Sequence, residues 1–253
     1  PARWPYVYAS TLNTETPLIA TDRQNSGARH SPDGTRIAYL EDRTTLRVRT
    51  VASGETRTLL TDRHIWGTGP NQSFAWSPDG KWILFDLSVP GVAPGEIGLV
   101  AADGSGEPVN LTRSGFNDGD ATWVMGGQAM LWFSNRDGLR AVAQTGGTQR
   151  DAYAMFFTQA AWDRYRLTKE EFALAKEAED SAAKAKPDSA KKAAADVALD
   201  LDGAVDRTAR LTIHSSSMSD ALLSKDGETL YYLARFERGL NLWSTSLRTR
   251  ETK

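Results

Sequence analysis

"ARHSPDG" (28–34), "FAWSPDG" (74–80), "ATWVMGG" (121–127) and "ALLSKDG" (221–227) are four versions of one heptapeptide, and their spacing decides the fold. Aligned on the final glycine, they recur at intervals of 46, 47 and 100 residues. Ser31-Pro32-Asp33-Gly34 and Ser77-Pro78-Asp79-Gly80 are identical, while the last copy keeps Ser224, Asp226 and Gly227. Val124-Met125-Gly126-Gly127 keeps only the glycine. Proline presets φ, aspartate bonds the backbone ahead of it and glycine accepts positive φ, so the motif is a turn.

Each turn is followed by an apolar run in one register. Ile37, Ile83, Met130 and Leu230 stand three residues after the glycine; Tyr39, Phe85, Trp132 and Tyr232 stand five after it. Ala38, Leu84, Leu131 and Tyr231 between them are apolar too. A strand without alternation is covered on both faces, as in a sheet wedged between two others. The segments 46–51, 97–101, 152–157 and 240–244 read as the next strand, and a further one ends at Leu60-Thr61, Leu111-Thr112 and Leu211-Thr212. With a strand leading into each turn, every unit holds about four strands over 40–50 residues, the build of a β-propeller blade. The fold class is therefore all-β.

The expected blades are 1–22 (partial), 28–62, 74–113, 121–213 and 221–253 (partial), in one domain. Tyr6–Tyr8 and Leu18–Thr21 read as the last two strands of an earlier blade, and a final strand should begin at Arg250-Glu251-Thr252-Lys253. Two arrangements stay open: a piece of a larger ring, or partial blades that complete one another in a ring of four. The long interval holds an insertion at 158–198. Thr168-Lys169-Glu170-Glu171 is a capping box ahead of an Ala/Glu/Lys run, and Asp188-Ser189 caps a second short helix through Ala195. Phe156, Phe157, Trp162, Tyr165, Leu167, Phe172 and Leu174 give its first half an apolar face for the rim of the ring. Residues 184–195 have almost nothing to bury and read as a solvated loop.

Composition excludes several functions. A formal net charge of −2 with scattered Lys and Arg argues against a nucleic-acid partner. No run approaches the roughly 20 apolar residues of a membrane span. The absence of cysteine removes disulfides, thiolate nucleophiles and Cys-ligated zinc. The chain opens at Pro1 and reads as a mature or excised segment.

The remaining chemistry is sparse. His30, His64 and His214 form no pair at metal-ligand spacing, and His30 fills the slot that Trp76 fills in the next blade. His214 to Asp220 contains Ser, His and Asp, but a triad converges from separate segments, so the stretch reads as a loop. Asp200-Leu201-Asp202-Gly203 has its glycine too early for a calcium loop and reads as a turn, with Asp206 and Arg207 paired at the surface. The loop His64-Ile65-Trp66-Gly67-Thr68-Gly69-Pro70-Asn71 is longer than its equivalents, which makes Trp66 either a peptide contact or a packed side chain. No catalytic residue, metal ligand or cofactor site is expected.

The Ser-Pro-Asp-Gly turn with its apolar strand resembles the propeller repeats of tricorn protease and TolB. The stretches "FSNRDGLRAV…RDAYAMFFTQAAWDRYRLTKEEF" (133–172), "LDLDGAVDRTARLT" (199–212) and "SKDGETLYYLARFERGLNLWSTSLRTRETK" (224–253) are similar to bacterial tricorn-like serine peptidases. That resemblance implies a propeller region ahead of a PDZ-like domain and a tail-specific-protease-like catalytic domain in the same polypeptide. It implies peptide or unfolded-protein substrates, a homo-oligomeric assembly and a periplasmic location. It carries no catalytic residue into this chain. The rivals are a stand-alone TolB-like interaction propeller and, less favoured, the propeller of a dipeptidyl-peptidase-like enzyme.

Overall fold

The computed structural model of the chain describes residues 16–65, 72–88, 94–141, 148–184 and 196–253. They form three four-stranded antiparallel sheets and one of three strands. The first holds β1 (Asn25–His30), β2 (Arg36–Glu41), β3 (Thr45–Thr50) and β4 (Thr56–Leu60). The second holds β5 (Phe74–Trp76), β6 (Trp82–Leu87), β7 (Glu96–Ala101) and β8 (Val109–Asn110). The third holds β9 (Asp118–Val124), β10 (Ala129–Ser134), β11 (Asp151–Phe156) and β12 (Thr208–Arg210). The fourth holds β13 (Ser217–Leu223), β14 (Thr229–Arg235) and β15 (Asn241–Ser246). Within every sheet the strands follow chain order, each paired with the next. Residues 251–253 run back along β15, where the backbones of Ser244 and Lys253 exchange two hydrogen bonds at 2.8 and 2.9 Å. Among the described residues no helix is long and apolar enough to cross a membrane.

The repeated turn joins the first two strands of three sheets, and its side chains close it. Ser77 Oγ donates to Asp79 Oδ1 at 2.5 Å and accepts from the Trp82 amide at 2.9 Å. Asp79 Oδ1 also accepts from the Lys81 amide at 3.0 Å. Ser31 with Asp33, and Ser224 with Asp226, repeat the arrangement. Gly34, Gly80 and Gly227 have φ of 71, 69 and 79°, which only glycine adopts at little cost. In the third sheet Met125–Gly127 form a 3-10 turn instead, with no serine or aspartate to hold it.

Packing explains the absence of alternation. Ala38 and Leu40 of the first sheet share a core with Ile83 and Phe85 of the second. Leu84 of the second shares one with Met130 and Trp132 of the third. Leu131 and Phe133 of the third share one with Leu230 and Tyr232 of the fourth. Positions three and five after the turn glycine therefore face the preceding sheet, and positions four and six face the following one. Full burial of each large side chain in these rows is worth roughly 1.5–3 kcal/mol, so the stack rests on their interlocking.

Between β11 and β12 lie two helices, α1 (Gln159–Arg166) and α2 (Lys169–Lys184). Thr158 caps α1 through the Ala161 amide at 3.2 Å. The capping box forms at α2: the Thr168 amide donates to Glu171 at 2.8 Å, and the Glu171 amide to Thr168 Oγ1 at 3.3 Å. Phe156, Phe157 and Phe172 are buried, and Trp162 and Tyr165 pack against the third and fourth sheets.

Three expectations are corrected. Leu174 is 68% exposed, because two residues from Phe172 along a helix is the far side. Residues 18–21 form no strand; Leu18 is 43% exposed and has no ladder partner among the described residues. Arg207 does not pair with Asp206 at the surface. Its side chain is only 8% exposed, and it donates to the carbonyls of Phe156, Asp202 and Asp200, with the Asp200 carboxylate at 3.8 Å. Folded-back carbonyls offered it more partners than its sequence neighbour did. Tyr6–Tyr8 and the short helix expected from Asp188 to Ala195 lie outside the described residues.

Candidate functional site

The opening strands of successive sheets stand side by side and are stitched by long side chains. Trp76 Nε1 donates to the Arg29 carbonyl at 3.0 Å, and Trp123 Nε1 to the Ala75 carbonyl at 3.1 Å. Both tryptophans stand four residues before the turn glycine, and both carbonyls belong to the residue five before it in the preceding sheet. Arg29 donates to the Phe74 carbonyl at 2.7 Å and lies over the Phe74 ring at 5.1 Å. Arg150 pairs with Asp120 at 3.2 Å and donates to the Met218 carbonyl at 3.3 Å, joining the third sheet to the fourth.

Along this edge lies an open groove of about 510 Å³, lined by Gly27, Arg29, Leu40, Ser73, Phe74 and Asp120 among others. Asp120 has φ of 59° at a bulge where β9 slips register against β10. Its amide donates to Asp86 Oδ1 at 2.9 Å, and the Ser73 amide to Asp86 Oδ2 at 3.3 Å. Asp86 takes the sixth position after the turn glycine, where Leu40 and Phe133 stand in neighbouring sheets. Burial pushes its carboxyl up to about 7, the Asp120 charge adds to the rise, and the two amide donors oppose it. The edge thus offers one guanidinium held by a carbonyl and a ring, one ion pair and one acid pushed up to about 7.

The residues singled out from sequence fall elsewhere. Ser31, Pro32, Asp33, Gly34, Ser77, Pro78, Asp79, Gly80, Ser224, Asp226 and Gly227 close turns, as described. Asp79 also ties the returning insertion to the second sheet. Its Oδ2 accepts from the Val197 amide at 2.8 Å, and beside it Lys81 pairs with Asp196 at 2.7 Å. Trp66 lies outside the described residues. His214 meets Phe236 edge-on at 6.5 Å. Ser215 Oγ donates to Asp151 Oδ2 at 2.7 Å and accepts from Arg210 at 3.0 Å. Asp151 is fully buried and also accepts from Arg210 and from Thr212 Oγ1. Ser215 is thereby held in a structural knot with Asp151 and Arg210. Asp200 to Gly203 forms the turn whose carbonyls hold Arg207. Among the described residues no group of three or more His, Cys, Asp and Glu is placed to hold a metal ion.

Sequence reasoning also missed the anchor of the helical arm. Arg248, in the turn after β15, pairs with Glu228 at 2.8 and 2.9 Å. It donates to the carbonyls of Arg164, Tyr165 and Leu167 and stacks on Phe172 at 4.2 Å. The Arg164 carbonyl already accepts from the Leu167 amide at 3.3 Å. Arg248 adds a second donor there and serves the Tyr165 and Leu167 carbonyls beyond it, so one guanidinium both caps the helix and holds the arm to the fourth sheet.

No family model and no curated protein matches the chain. Among solved structures it is similar to a putative TolB from Agrobacterium tumefaciens, at 16% identity over 93% of this chain and 63% of that one, with a TM-score of 0.53. It is similar to tricorn protease at 10% identity over 90% of this chain and 22% of that one, with a TM-score of 0.61. An oligogalacturonate lyase in complex with manganese aligns at 13% identity over 97% of this chain and 57% of that one, with a TM-score of 0.54. The shared feature is the fold: a β-propeller of four-stranded antiparallel blades. The chain spans less than two thirds of each of these proteins.

Proposed function

We propose that the chain is a non-catalytic β-propeller segment of a tricorn-like serine peptidase, serving the access and positioning of peptide substrates or the assembly of the enzyme. The observation that carries this reading is the stack of sheets that follows tricorn protease over 90% of the chain at a TM-score of 0.61. The resemblance of residues 133–172, 199–212 and 224–253 to tricorn-like peptidases supports it. In this reading the nucleophilic serine lies in another domain of the same polypeptide, reached through a PDZ-like domain, in the periplasm. The groove lined by Arg29, Phe74 and Asp120 would be the surface that meets a peptide.

The test is serine-directed fluorophosphonate labelling of the natural gene product that contains these residues, with hydrolysis of an unfolded casein as a second readout. Labelling at a serine outside the present sequence, together with hydrolysis, supports the reading; a product that neither labels nor hydrolyses contradicts it. The likeness to the putative TolB over 93% of the chain favours a second reading, an envelope propeller that binds a protein partner without hydrolysis. That reading predicts no labelling and a stable partner recovered by cross-linking.

A further inference from the structure

The outer face of the fourth sheet breaks the packing rule of the other three. Positions four and six after the turn glycine are Ala38 and Leu40, Leu84 and Asp86, Leu131 and Phe133, then Tyr231 and Leu233. In the first three sheets the apolar members of these pairs are at most 5% exposed, each covered by the following sheet. In the fourth, Tyr231 is 42% exposed, and Leu222 and Leu242 beside it are 66% and 68% exposed. Leu222 stands opposite Tyr231, and Leu242 opposite Leu233, so four large apolar side chains form one continuous patch across three strands. The patch lines an open hollow of about 370 Å³ with Asp220 as its only charged member. A patch of this kind on an otherwise polar surface marks an interface.

We infer that this face seats a further blade-type sheet of the same polypeptide, one that presents a large aliphatic residue and an aromatic residue three and five positions after its own turn glycine. Continuity is the argument: each of the three internal interfaces joins a four/six face to a three/five face, and here a four/six face stands alone. The three/five face of the first sheet cannot supply the partner from a second copy, because Ile37 and Tyr39 are already only 5% and 3% exposed. That face of a second copy is therefore no partner for the patch, and the continuity of the three internal interfaces points to a sheet of the same polypeptide as its occupant. The inference rests on the proposed reading that these residues belong to a larger propeller.

The test uses the intact natural gene product and hydroxyl-radical footprinting, with each leucine referenced to the same product unfolded in urea. The expected result is at least fivefold protection of Leu222 and Leu242. Protection of less than twofold, as their exposure here gives, would overturn the inference. A photoreactive benzoylphenylalanine replacing Leu242 then identifies what covers the patch. An intramolecular adduct to a strand with the stated pattern supports the inference. An adduct to another chain, to a segment without that pattern, or no adduct overturns it. A natural product of this length alone would sink the larger-propeller reading itself, whereas a longer product with a bare face sinks only the inference.

Discussion

Replacing Arg248 with alanine should release the helical arm while leaving the sheets folded. The guanidinium is 9% exposed and its partner Glu228 21% exposed, so the pair is largely buried. Removing one member of a buried pair costs about 3–5 kcal/mol, because the other is left uncompensated. The lower end applies here: Glu228 regains some water, and the carbonyls of Arg164, Tyr165 and Leu167 become hydrated once α1 lifts. A loss of about 3 kcal/mol raises the open population of the arm roughly 100-fold, at tenfold per 1.4 kcal/mol. Amide hydrogen exchange reads this directly, since opening of a unit is reported segment by segment. Amides of α1 and of the first turns of α2 should exchange about 100-fold faster, with those of β6 and β10 unchanged. Arg248→Lys keeps one charge but loses the fork, and should give about tenfold. Exchange within threefold of the unsubstituted chain for Arg248→Ala would refute the reasoning.

Other sites give independent checks. Gly98 lies opposite Phe85, and a Cβ there would sit 2.2 Å from Phe85 Cζ; Gly98→Ala should lower urea stability by at least about 1–3 kcal/mol, and adding Phe85→Leu should recover part of it. Asp151→Ala strands Arg210, Thr212 and Ser215 around a buried void and should cost about 3 kcal/mol or more, read from the same denaturation curve. Asp79→Ala should destabilise more than Asp33→Ala, because Asp79 alone also holds the Val197 amide, and the excess should appear as faster exchange near residue 197. Asp86 binds its proton up to about pH 7 in the fold and only up to about pH 4 when unfolded. The folded state therefore holds the extra proton between those values, and stability falls as pH rises across that window, then levels off above it. Relative to the unsubstituted chain, Asp86→Asn should gain about 2 kcal/mol between pH 4 and pH 8, a discounted linkage value; a parallel pH dependence in both proteins would contradict the assignment.

What the sequence revealed and what it hid divide along chain distance. The turns at Ser31, Ser77 and Ser224 were legible because their chemistry is complete within five residues. The rows at positions three to six were legible because repetition exposed their register, so the row of sheets could be inferred before any contact was known. The capping box at Thr168 was legible for the same local reason. Arg248 was not, since its partners on α1 lie 81–84 residues away and nothing near it in sequence marks it. Arg207 misled because Asp206 adjoins it in sequence, while the fold brought three carbonyls closer. The indole bonds of Trp76 and Trp123 had a signal that went unread: two tryptophans at one repeat position, both able to reach a neighbouring blade. Asp86 had one too, as a carboxylate in a slot otherwise filled by Leu40, Phe133 and Leu233. Its raised pKa depends on Asp120 and on burial between sheets, which no local pattern encodes.

The measurement that bears most directly on the central claim is the intact mass of the natural gene product that contains these residues, taken from its source cells. The account predicts a mass several times the 27.7 kDa of this chain, as befits a propeller segment within a large peptidase. A mass close to 27.7 kDa would contradict it and leave a small propeller that acts through a binding partner.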